Sequence, residues 1–105
     1  MEVVNTDVIQ GADITETIGE MRGNSVKAKF ASKDIMAGLK GFFGGGISEY
    51  AELMEEARDE TINNLIKDAR QMGADAVINL RFTSSQIGAQ NAEILAYGTG
   101  VKLAN

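Results

Sequence analysis

SEYAELMEEARDETINNLIKDARQMG, residues 48–73, is the stretch whose reading decides the fold. Ser48 can cap a helix N-terminus with its hydroxyl, and Gly73 stands where a left-handed residue ends one. Acidic residues crowd the first turns while Lys67 and Arg70 fall in the last, which complements the helix dipole at both ends. The spacing predicts a helix from Ser48 to Met72, about 25 residues and about 37 Å long. A chain of 105 residues folds to a radius of gyration of about 13 Å. The helix must cross the whole domain or project beyond it.

On a helical wheel the apolar side chains form two groups. Tyr50, Leu53, Met54 and Ala57, with Thr61 beside them, make the first. Ile62, Leu65, Ile66 and Ala69 make the second, about 110° further round. Two offset stripes predict two packing partners, one of them another subunit.

Outward from the helix the pattern turns to strands. Toward the N-terminus, residues 2–9 are mixed. Ile14–Arg22 and Val26–Phe30 flank RGNS, where Gly23 and Asn24 can take positive φ, so a hairpin is expected there. Val26, Ala28 and Phe30 alternate with Lys27 and Lys29, the period of a strand with one wet face. Ser32 can cap a short helix over Lys33–Phe42, and Gly44, Gly45 and Gly46 form an elbow before the long helix. Beyond Gly73, Ala76–Phe82 reads as a buried strand, TSSQIGAQN as a loop and Ala92–Leu103 as a last strand.

A hairpin of the last two strands can set Arg81 opposite Glu93, Leu80 opposite Ile94 and Ile78 opposite Ala96. That register places Ala76, Ile78, Leu80, Phe82, Ile94 and Ala96 under the helix, and Val77, Leu95, Tyr97, Thr99, Val101 and Leu103 on the other face. With about 35 residues of helix, the chain is short of material to cover both faces. The second face is expected to be covered by copies of the same chain.

Composition narrows the chemistry. The chain has no cysteine and no histidine, which excludes disulfides, thiolate catalysis, sulfur- or imidazole-based zinc sites and Ser-His-Asp triads. A formal net charge of −5 with scattered basic residues opposes binding to nucleic acid or to an anionic membrane. The apolar runs are too short to cross a bilayer, and MEVVNTDVIQG lacks the features of a signal peptide. A cytoplasmic protein is expected.

Candidate sites are few. FFGGGISEY lacks the GK[ST] ending of a phosphate loop, and Glu49, Glu52, Glu55 and Glu56 would repel an anion from the helix start. Glu52, Glu56 and Asp59 lie within about 60° on the wheel and can share a hard divalent ion such as Mg²⁺, Ca²⁺ or Mn²⁺. The alternative is a solvated helix flank. Arg81 and Glu93 are expected as a cross-strand ion pair, and with Tyr97 they are the residues on which an enzymatic reading would rest. Ser84, Ser85 and Thr83 have no base to activate them. Gly98 and Gly100, two apart on one strand face, predict close approach of a neighbouring element. Met21, Met36, Met54 and Met72 are expected in the core.

KDIMAGLKGFFGGGISEYAELMEEARDETINNLIKDARQMGADAVINLRF and AEILAYGTGVKL closely resemble the YbjQ-like family of small bacterial and archaeal proteins, often labelled heavy-metal-binding. The resemblance runs from about Ser32 to the end, with the first strands fitting more loosely. It implies an α+β, two-layer subunit: a small antiparallel, dodecin-like sheet packed on one long helix plus a short one. It also implies assembly into a homopentameric ring. Without cysteine or histidine, only carboxylates, amides and methionine sulfurs remain as metal donors. The function expected is that of a non-enzymatic oligomeric binding or scaffolding protein without a cofactor and with no defined small-molecule ligand. The alternative is a divalent-metal-binding ring built on Glu52, Glu56 and Asp59.

Overall fold

The computed structural model of the protein describes residues 1–28, 46–87 and 91–104. Among them run β1 (Glu2–Val3), β2 (Ile14–Ala28), α1 (Gly46–Gln71), β3 (Ala76–Ile87) and β4 (Asn91–Leu103). The expected short helix over Lys33–Phe42, Met36 and the glycines Gly44 and Gly45 lie outside the described residues. The strands form one mixed sheet in the order β1-β3-β4-β2. β1 is parallel to β3, and the other pairings are antiparallel. The architecture is α+β in two layers, with α1 laid along β2 and β4. Long strands make the molecule elongated, 53 × 24 × 17 Å with a radius of gyration of 17.0 Å. The helix therefore does not outrun its domain, because the sheet is as long as it is.

α1 ends as the sequence predicts. Gly73 adopts φ 82°, its N–H donates to the Arg70 carbonyl at 3.1 Å, and the Ala74 N–H donates to the Ala69 carbonyl at 2.9 Å. These two bonds are a Schellman motif, with Ala69 and Ala74 both buried in the core beside it. The start lies at Gly46, two residues before the expected Ser48 cap.

The buried face of α1 corrects the two-stripe reading. Ala57, Thr61, Leu65 and Ala69 are sealed from solvent, one row at intervals of four. Such a row winds about 40° per step around a helix of 100° per residue. Three steps account for the displacement between the two apolar groups, with Met54, Ile62 and Ile66 half-buried on the flanks. A single layer of strands satisfies the helix, so the offset does not require a second subunit.

RGNS is not a turn. β2 runs unbroken through Gly23 and Asn24, paired with Ala96 and Leu95 of β4. Gly23 is needed for another reason: a methyl group there would run into the Leu65 amide nitrogen and the Thr61 carbonyl and come within 2.9 Å of the Leu65 Cα. The helix backbone rests on the strand backbone at that point. Helix side chains also hold the rim of β2. The Arg22 N–H donates to Asp68 Oδ2 at 3.1 Å, and Asn64 Nδ2 donates to the Asn24 carbonyl at 2.9 Å.

The expected β3–β4 register is also corrected. Ile78 faces Thr99, but Arg81 faces Tyr97, so Asn79 and Leu80 together oppose Gly98. Asn79 takes φ 54°, the left-handed conformation of a bulge whose first residue is often glycine. The bulge reverses the alternation of β3. Val77 and Leu80 both belong to the core beneath α1 with Met21, Leu65 and Ala96, while Ala76 and Ile78 face the opposite side. Gly98 and Gly100 do lie at close contacts, Gly98 against Val77 and the Ile78 carbonyl, Gly100 against Met21 and Ala74. TSSQI belongs to β3 rather than to a loop.

The far side of the sheet is half roofed by the chain itself. Ile9 packs on Ala76, Ile78 and Val101, with Val4, Ala12, Ile14 and Leu103 around them. The segment after β1 is held there by backbone bonds: the Leu80 N–H donates to the Val4 carbonyl and the Asn79 N–H to the Thr6 carbonyl. Val101 and Leu103, expected to be roofed by sister chains, thus lie under their own N-terminal segment. Met21 is core, Met54 is half-buried and Met72, expected inside, is 59 % exposed.

Candidate functional site

The other half of the far face is open, and period-two geometry puts its residues in three cross-strand rows. Arg22, Tyr97 and Arg81 form the first, Asn24, Leu95 and Thr83 the second, Val26, Glu93 and Ser85 the third. Met21, Gly23 and Ser25 point the other way, into the helix layer, and are buried. A shallow depression of about 600 Å³ lies over the β2 and β4 part of these rows, lined by Glu20, Arg22, Gly23, Asn24, Glu93, Leu95 and Tyr97. Val26 is 52 % exposed and Tyr97 38 %.

The polar groups here hold one another. Arg22 Nε donates to Glu20 Oε1 at 2.6 Å, an ion pair between exposed side chains. Asn24 Nδ2 donates to Glu93 Oε2 at 3.2 Å. Arg81 is turned toward the N-terminal segment, where one guanidinium nitrogen donates to the Asn5 and Leu80 carbonyls, each at 2.9 Å. The expected Arg81–Glu93 ion pair does not form, because β3 runs on through Ile87 and its register on β4 sets Arg81 opposite Tyr97 and Glu93 opposite Ser85. The face offers an apolar strip of Tyr97, Leu95 and Val26 between hydrogen-bonding groups of both signs. Such a strip suits docking against another mixed surface.

Glu52, Glu56 and Asp59 are placed on the exposed flank of α1. Among the described residues, no group of three or more acidic side chains stands close enough to hold one ion. The sequence reading missed Glu20, Arg22 and Asn24 as parts of the open face. The signal was present in EMRGNSV, where Glu20, Arg22 and Asn24 alternate with Met21, Gly23 and Ser25. Taking Gly23 and Asn24 for a turn concealed it.

Comparison with known proteins fits this architecture. A family described as "Putative heavy-metal-binding" (YbjQ_1) matches residues 1–104, so the likeness includes the first strands. A UPF0145 protein of Methanosarcina acetivorans is 50 % identical over 105 residues, all of this chain and 99 % of the relative. A UPF0145 protein of Photobacterium profundum is 53 % identical over 103 residues, 98 % of this chain and 100 % of the relative. The crystal structure of a protein of unknown function from Pediococcus pentosaceus, assigned to the DUF74 family, superposes with a TM-score of 0.70. That pair covers 99 % of this chain and 98 % of the other at 18 % identity, a likeness of fold alone. With its strands, helix and bulge all inside the matched span, the chain belongs to the YbjQ-like family.

Proposed function

We propose that the protein is a non-enzymatic binding or scaffolding subunit that works as a homo-oligomer, a dodecin-like ring of five copies in the form the family resemblance implies. One observation carries the reading: half of the far sheet face is roofed by the chain's own Ile9 segment, while on the other half Val26 and Tyr97 are exposed and Leu95 between them is half-buried. A contiguous apolar strip on a small subunit favours a protein surface as its occupant. The side chains on this face bind one another and do not pair a nucleophile with a base. Light scattering after size exclusion tests the assembly. A multiple of the 11.2 kDa chain mass is expected, and a monomer at micromolar concentration would overturn the reading.

The description of the family as heavy-metal-binding supports a second reading, metal binding. Lacking cysteine and histidine, this chain does not fit a soft metal. Its carboxylates suit a hard cation, and Glu52, Glu56 and Asp59 would have to be joined by acidic side chains from neighbouring copies. Calorimetry with Mg²⁺, Ca²⁺, Mn²⁺ and Zn²⁺ tests this, and binding heat that survives Glu52→Gln with Glu56→Gln would exclude these residues.

A further inference from the structure

We infer that the groove between the N-terminal segment and β3 binds a small apolar carboxylate, Arg81 holding the carboxylate and Val3, Val4 and Phe82 its apolar body. The groove has a volume of about 780 Å³ and lies where the chain leaves β1 beside β3. Sites for small molecules span about 300–1,000 Å³. Val3 packs on the cluster beneath α1 and Val4 on the cluster of the far face, so the groove crosses the rim of the sheet from one face to the other.

Arg81 is set to receive an anion. A guanidinium carries its N–H donors in one fixed plane. Nη1 of Arg81 donates to the Asn5 and Leu80 carbonyls, each at 2.9 Å. What remains is the edge formed by Nε and Nη2, whose parallel N–H bonds fit the two oxygens of a carboxylate. Arg81 has no carboxylate partner among the described residues, where the ion pair found joins Arg22 to Glu20. Its side chain is ordered before any ligand arrives, which lowers the cost of binding.

The other polar groups of the groove are occupied. The Val4 carbonyl accepts from the Leu80 N–H and the Thr6 carbonyl from the Asn79 N–H, while the Thr6 hydroxyl donates to the Val8 carbonyl at 2.7 Å. None of the lining residues is acidic, although the chain as a whole is. The remaining surface is apolar, with Val3, Val4 and Leu80 half-buried and Phe82 41 % exposed. One fixed cation beside an apolar strip selects a single negative charge on an apolar body. A cation finds no counter-charge among the lining residues, and inorganic phosphate has no chain to lay on the strip. The inference goes beyond the oligomer reading and does not depend on it.

Octanoate is the probe, compared with octanol, acetate and inorganic phosphate, each titrated into the full chain and followed by NMR. Octanoate should shift the Arg81 Nε–H and the amides of Val4, Asn5 and Phe82 together and to saturation. Octanol lacks the charge, and acetate and phosphate lack the chain, so each should bind about tenfold more weakly or worse. Arg81→Gln should weaken octanoate about ten- to hundredfold, the loss of a charge-assisted pair. Arg81→Lys keeps the charge without the planar fork and should fall between. Because Arg81 also holds Asn5, the comparison of the four probes on the unaltered protein decides the matter should either variant fail to fold. Equal affinity for octanol, acetate or phosphate would overturn the inference, as would the absence of any octanoate shift or binding that survives Arg81→Gln. A monomer by light scattering would overturn the assembly and leave this site standing.

Discussion

The backbone of Leu65 in α1 lies directly against Gly23 of β2, with no space between them for a methyl group. The obstacles are the Leu65 amide and the Thr61 carbonyl, which belong to the helix ladder and cannot rotate away as a side chain would. Gly23→Ala must therefore lift the helix off the strand along the row that buries Ala57, Thr61, Leu65 and Ala69. Overpacking of this kind costs about 3 kcal/mol, and the loss should appear as a lower urea midpoint with little change in slope.

Ser25 sits one step along the same inner face, 4 % exposed, and its hydroxyl has no hydrogen-bond partner. Desolvating an unpaired hydroxyl is unfavourable, and removing it relieves that cost while leaving only a small void. Ser25→Ala should leave stability unchanged or raise it by about 1 kcal/mol. Thermal unfolding checks the sign, and a loss above that size would mean that the hydroxyl is paired in solution.

These two positions also show where sequence legibility ended. The helix was legible because periodicity, end charges and Gly73 all agree over a long span. Gly23 misled because a glycine for a turn and a glycine for close packing look alike until the helix is placed above it. The register of β3 was missed because residues 83–87 read as loop yet extend the strand, which slides its pairing on β4 by three residues, and because the bulge at Asn79 and Leu80 has no composition of its own and puts Ala76 and Ile78 on the opposite face from Leu80. For Val101 and Leu103 the expected roof of sister chains is replaced by the chain's own N-terminal segment, which has a single strongly buried residue, Ile9, and is too irregular for any period to reveal. Glu52, Glu56 and Asp59 do share a flank of the helix, but neighbourhood on a wheel does not aim side chains at one point.

Ile9 supplies a direct test of that roof. It covers Ala76, Ile78 and Val101 from a stretch with little regular structure, so its side chain, together with a few backbone bonds, fixes the segment in place. Ile9→Ala should cost about 2–4 kcal/mol. It should also speed hydrogen exchange at Asn79 and Leu80, whose amides donate to Thr6 and Val4. A variant of wild-type stability would show that something other than the N-terminal segment protects Val101.

Tyr97 separates the needs of the subunit from those of the particle. It lies between Arg22 and Arg81 on the open half of the sheet, in contact with solvent in a single copy, and the helix core lies on the other side of β4. A charge there therefore leaves the fold's own packing intact. Tyr97→Asp should change the midpoint of monomer unfolding by no more than about 0.5 kcal/mol, the range for surface substitutions away from structural features. If a sister chain covers the strip, the same change places a carboxylate in a desolvated contact, where an unpaired charge is strongly unfavourable. The particle mass measured by light scattering should then fall toward that of one chain at micromolar concentration. Retention of the full mass would place the subunit contact elsewhere and leave Tyr97, Leu95 and Val26 available to a different partner.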